Sequence, residues 1–102
     1  MLAMRLSQQH QTAIRELTRE VVGDQARVLL FGSRTDDAQR GGDVDVLVQS
    51  PQILPERLAL ELRLGARLER ALGGRKVDLL LVDPTTPLQS VHRIALAHGV
   101  PL

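Results

Sequence analysis

Three short apolar runs, residues 28–31, 44–48 and 76–82, set the terms on which this 102-residue chain can fold. Val28-Leu29-Leu30-Phe31 stops at Gly32-Ser33, Val44-Asp45-Val46-Leu47-Val48 is closed by Ser50-Pro51, and the third run follows Gly73-Gly74. Each is four to seven residues long, rich in branched side chains and bounded by turn formers, which predicts a buried strand. Helical patterns alternate with them. Ser7 suits the cap of a helix whose apolar face runs through Ile14, Leu17 and Val21, with Gly23 placed to end it. Pro55 suits the first turn of a longer helix whose stripe is Leu58, Leu62, Ala66, Leu68 and Leu72. In that segment Glu61, Arg63, Arg67, Glu69 and Arg70 fall mostly outside, and the whole arginine series from Arg57 reads as a solvated face. Thr86-Pro87 opens a last helix through Val91, Ala95 and Leu96, ended by Gly99, and 100–102 forms a short edge strand. Counting a short helix begun at Ser33, the order is αβ(α)βαβα. It predicts an α/β (α+β) domain spanning 1–102, a small mixed sheet with helices packed on it.

Composition narrows the function classes. Phe31 is the single aromatic residue, which removes recognition surfaces built on base stacking. Thirteen basic and twelve acidic side chains leave a net charge of +1, so no direct nucleic-acid binding is expected. With no cysteine there is no disulfide framework, no thiolate metal site and no thiol nucleophile. No window approaches the ~18 apolar residues of a membrane span, and the first residues lack a signal-peptide core. A soluble cytoplasmic protein without membrane contact is the expectation. P-loop and dinucleotide fingerprints are missing, and His10, His92 and His98 lack the spacing of a helical zinc pair.

Acids in the apolar runs are the anomaly. Asp43 and Asp45, two apart in an extended chain, project to one face while Val44, Val46 and Val48 project to the other. Asp78 lies inside the third run. A buried carboxylate costs several kcal/mol without a cation or good hydrogen bonds. Asp43 also suits the first strand residue after the Gly41-Gly42 turn, and Asp78 also suits an ion pair with Lys76 on its own face. Convergence of all three on Mg²⁺ or Mn²⁺ explains the set at once, because both ions take oxygen ligands and carry substrate phosphates. Gly32-Ser33-Arg34 adds a second feature. A glycine permits close backbone approach, a helix begun at Ser33 would point free N–H groups at a phosphate, and Arg34 could reach phosphate oxygens. An ordinary capped strand-to-helix turn reads the same way.

In combination, Leu30-Phe31-Gly32-Ser33-Arg34, Asp43-Val44-Asp45-Val46 and Val77-Asp78-Leu79 resemble the polymerase-β-like nucleotidyltransferase superfamily in its minimal bacterial form. The resemblance implies that fold, with ATP as substrate and Mg²⁺ or Mn²⁺ as cofactor. It implies that Asp43 and Asp45 hold the metals carrying the triphosphate, and that Asp78 binds the catalytic metal and helps deprotonate the acceptor hydroxyl. Gly32 and Ser33, helped by Arg34, would hold the terminal phosphates. Gly42 stands where the family often has Ser, and Asp36 and Asp37 occupy the intervening loop. With no residues left for an acceptor-binding domain, the resemblance points to a HEPN toxin as partner in a hetero-oligomer. The chain would act as its antitoxin by moving AMP onto a tyrosine hydroxyl. Neutralisation by binding alone, and a subunit acting on a small molecule, are the alternatives.

Overall fold

The computed structural model describes residues 6–31 and 44–102. Its elements are α1 (Gln8–Val21), β1 (Arg27–Phe31), β2 (Val44–Gln49), α2 (Arg57–Ala71), β3 (Val77–Val82), α3 (Ser90–His98) and β4 (Val100–Pro101). The strands form one mixed sheet in the order β3-β2-β1-β4. β1 is antiparallel to both β2 and β4, whereas β2 and β3 run parallel, joined by the crossover helix α2. This is the small α+β sheet-and-helix architecture expected of the polymerase-β-like nucleotidyltransferase fold.

Most boundaries follow the punctuation in the sequence. Ser7 caps α1 by accepting the His10 amide at 3.1 Å. Gly73 and Gly74 end α2 with φ of 74° and 90°, a left-handed turn that side chains resist, and the Gly74 amide closes back on the Glu69 carbonyl at 2.8 Å. Gly99 ends α3 for a different reason: a Cβ there would lie 2.5 Å from the Ala95 carbonyl oxygen and 2.9 Å from Leu29 Cβ. Only a bare backbone lets the chain turn from α3 straight into β4.

Two expectations for the helices need correction. α2 starts at Arg57 rather than at Pro55 and buries Leu64, Leu68 and Leu72, with Leu60 against them. Leu58 and Leu62 are instead 63% and 76% exposed. Its leucines offer two stripes at helical spacing, and the sheet selects the second. α3 begins only at Ser90, because Thr86 is engaged elsewhere: its hydroxyl accepts the Asp83 amide at 2.9 Å and donates to the Asp83 carboxylate. Val91 is exposed rather than buried.

The two faces of the sheet are covered unequally. One packs Val28, Leu30, Val44, Val46, Val48, Val77 and Leu81 against α1 and α2 in the main core. The other carries a smaller cluster, Leu29, Leu47 and Val82 under Ala95 and Leu96 of α3. α3 is nine residues long and reaches only part of that face. No helix among the described residues is long and apolar enough to cross a membrane.

Candidate active site

Strand register decides which of the candidate side chains meet. Asp45 pairs with Phe31 across the antiparallel side and with Asp78 across the parallel side. Residues in register share a face, so Phe31, Asp45 and Asp78 form one row on the sheet face that α3 partly covers. The next row is Leu29, Leu47 and Leu80, which is packed with α3. The acidic row therefore lies one step beyond the apolar cluster.

Asp45 is half-buried and Asp78 is exposed, its side chain retaining 49% of its accessible surface. The expectation that Asp78, inside an apolar run, bears the cost of burial is thus corrected: its side chain is exposed, so no large desolvation cost arises. The Lys76 ion pair anticipated for it exists, Nζ to Oδ1 at 4.0 Å, but both partners are largely solvated. Such a pair contributes about 0–1 kcal/mol and leaves the carboxylate available to a ligand.

What does require explanation is adjacency. Neighbouring strands are only ~4.8 Å apart, and like charges directly opposite on a sheet destabilise it. Two carboxylates so placed on an open face fit a hard divalent cation, which takes oxygen donors and retains waters for substrate. Among the described residues no group of three or more His, Cys, Asp or Glu side chains gathers to hold a metal. Asp43, the third presumed ligand, lies outside the described residues, as do Gly32, Ser33 and Arg34 and the short helix expected at Ser33.

α2 positions β3, and with it Asp78, through contacts the sequence reading missed. Glu61 and Glu69 do not face solvent. Their carboxylates accept the Leu81 amide at 2.9 Å and the Val77 amide at 3.0 Å, while Arg57 donates to the Leu81 carbonyl at 3.0 Å. β3 is the edge of the sheet, and these side chains occupy backbone groups that would otherwise stand open. Along α2, Glu61, Gly65 and Glu69 are four residues apart and share a face, which is the signal that could have revealed them. Gly65 leaves a groove of about 480 Å³ between α2 and β3 that reaches Asp78.

At the other end of β3, Asp83 is a structural hub rather than part of this row. It is 6% exposed, and its carboxylate accepts the Leu54 amide at 2.7 Å, the Thr85 hydroxyl at 2.7 Å and amide at 2.8 Å, and the Thr86 hydroxyl. These bonds, the Leu54 amide foremost, hold its pKa well below the ordinary carboxylate range. Asp83-Pro84-Thr85-Thr86 is an Asx-turn sequence, and that signal was legible.

No curated protein matches the sequence at a significant level. The model of the nucleotidyltransferase domain family matches residues 11–100. That span takes in both acidic strands, Gly32-Ser33 and the crossover helix between β2 and β3. Family members use a nucleoside triphosphate and a divalent metal, in keeping with the oxygen donors of the Asp45–Asp78 row. The chain belongs to the nucleotidyltransferase domain family of the polymerase-β-like superfamily, and nucleotidyl transfer is its chemistry.

Proposed function

We propose that the chain transfers AMP from ATP to a tyrosine hydroxyl of a HEPN toxin and so acts as its antitoxin. The observation that carries the metal-dependent step is the side-by-side placement of Asp45 and Asp78 on an open sheet face. Asp43, Asp45 and Asp78 are assigned as ligands of Mg²⁺ or Mn²⁺, and Gly32, Ser33 and Arg34 as the cradle of the terminal phosphates. When bound, the metal supplies charge neutralisation at the triphosphate and polarises the reacting phosphorus. Asp78, the more exposed acid, accepts the proton of the incoming hydroxyl. That oxygen bonds to the α-phosphorus, the bond from the α-phosphorus to the bridging oxygen breaks, and pyrophosphate leaves with the electron pair. Phe31, in the same row as Asp45, offers the one aromatic face for the base.

A protein acceptor is supported by the surface. Leu58 and Leu62 on α2, and Val91 and Ile94 on α3, are exposed large apolar side chains, the kind of surface that partners cover. The same observation favours a second reading, in which docking alone silences the toxin. To separate the two, the purified chain is incubated with Mg²⁺-ATP and a cognate HEPN toxin, and the toxin is weighed by intact-mass spectrometry. An AMP adduct that disappears with Asp45→Asn and Asp78→Asn is the expected result. A tight complex with no adduct under any metal would leave occlusion standing and remove the transferase reading.

A further inference from the structure

The groove of about 480 Å³ between α2 and β3 has the size of a ligand site, and its walls are mainly apolar: Leu62, Ala66, Leu79 and Leu80, with Gly65 among them. Gly65 is the unusual member. Glycine inside a helix lowers stability relative to alanine, and nothing in the chain calls for it here. Its φ is not in the left-handed region, and a Cβ at this position would lie 4.0 Å from Leu79 Cδ2, an ordinary contact. The edge of β3 is also served unevenly along the groove. The Val77 and Leu81 amides point outward to Glu69 and Glu61, so with a period of two the Leu79 amide points outward as well. Midway between the two glutamates α2 has Gly65, which offers that amide no side-chain acceptor.

Charge decides what fits. Glu61, Glu69 and Asp78 line the groove, and no lysine, arginine or histidine does. Each glutamate engages β3 through Oε2 alone, and a carboxylate accepts further bonds on its other oxygen. Neither glutamate forms an ion pair among the described residues; Arg67 of the same helix pairs with Glu20 instead. Lys76 meets Asp78 only at 4.0 Å and largely in solvent. Glu61 and Glu69 stand two helical turns apart, about 12 Å, so the acids are strung along the groove. They do not converge as a metal site would, in keeping with the lack of any such group of three among the described residues. A matching occupant has a positive charge, an apolar stem and a backbone carbonyl for the Leu79 amide. Arginine in an extended segment has all three. Its guanidinium forks onto carboxylates, its methylenes lie along apolar walls, and about four extended residues span 12 Å.

We propose that this groove docks an extended segment of a partner protein in which an arginine lies between apolar residues, with Glu61 and Glu69 as the charged contacts and the Leu79 amide as the backbone donor. Asp78 belongs to the groove wall, so docking delivers a neighbouring hydroxyl to the transfer site. That consequence rests on the proposed transfer, whereas docking is measured without it. Fluorescence anisotropy on the full chain follows a short labelled peptide holding arginine between leucines, and its counterpart with glutamate in place of arginine; calorimetry follows spermine. The arginine peptide is expected to bind saturably and at least about 10-fold more tightly than the glutamate peptide. Glu69→Gln keeps an acceptor for the Val77 amide and weakens the arginine peptide about 3- to 10-fold. Gly65→Ala raises the thermal midpoint by roughly 4–8 °C and yet weakens the peptide, and Gly65→Leu, which fills the groove, abolishes its binding. Asp45→Asn lies outside the groove and binds the peptide as the wild type does while losing transfer, so a failure of docking and a failure of transfer are told apart. Equal binding of the two peptides, or an affinity unchanged by both Gly65→Leu and Glu69→Gln, overturns the assignment. Saturable binding of spermine with none of the arginine peptide places a small polycation in the groove and overturns it too.

Discussion

Replacing Glu61 with alanine tests how β3, the strand that carries Asp78, is held in place. The wild-type carboxylate accepts the Leu81 amide at 2.9 Å, a charge-assisted bond worth about 1.5–3 kcal/mol when well buried. Both groups are only partly shielded, so water recovers some of the loss and about 1–1.5 kcal/mol is the expected cost. For a chain of this size that lowers the thermal midpoint by roughly 4–12 °C. Glu61→Gln keeps an acceptor without the charge and should cost about half as much. The second readout is local: hydrogen exchange at the Leu81 amide should accelerate beyond what the drop in global stability explains. Removing Glu69 as well leaves both the Val77 and Leu81 amides open on an edge strand, and light scattering should then detect edge-to-edge association. A Glu61→Ala protein within ~0.3 kcal/mol of wild type, with unchanged exchange at Leu81, would falsify the idea that α2 side chains secure this edge.

Two further predictions concern packing and acid stability. Leu68→Ala should cost about 2–5 kcal/mol by chemical denaturation, because Leu68 is fully buried, whereas Leu62→Ala should fall within ~0.5 kcal/mol; equal effects would mean that α2 faces the sheet otherwise. For Asp83 the folded-state pKa lies below the ordinary value of 3.8, so the unfolded chain binds its proton first as pH falls. Its contribution is therefore fully present above about pH 4 to 5 and is lost as pH drops through the acid range towards the folded pKa. Asp83→Asn should lower stability at neutral pH and flatten the acid limb of a stability–pH profile; an unchanged acid limb would show that the bonds to Leu54, Thr85 and Thr86 do not bias ionisation.

How much of this was legible beforehand depended on whether a feature is decided locally. Ser7 acts through a hydroxyl three residues from its partner amide, and Gly23 and Gly73-Gly74 through their own backbone, so the boundaries they set lie where the sequence places them. The face of α2 is not a local property. Leucines at 58 and 62 compete with those at 60, 64, 68 and 72, and periodicity cannot rank two stripes of equal spacing. The tie is broken by the sheet: Leu64, Leu68 and Leu72 enter the core, Glu61 and Glu69 accept the Leu81 and Val77 amides of β3, and Leu58 and Leu62 stay exposed. The acids show the same division. Their alternation with valines was readable, and Asp45 and Asp78 do share a face. The cost of burying a carboxylate does not apply to Asp78, whose side chain keeps 49% of its accessible surface. Register supplies a better reason, and register is invisible in one strand alone. Like charges set side by side on neighbouring strands bring repulsion whether or not they are buried, and a divalent cation removes it while leaving coordination positions for a triphosphate. An open acidic row is also what transfer to a second molecule demands, since a fully buried metal site could not admit an acceptor hydroxyl.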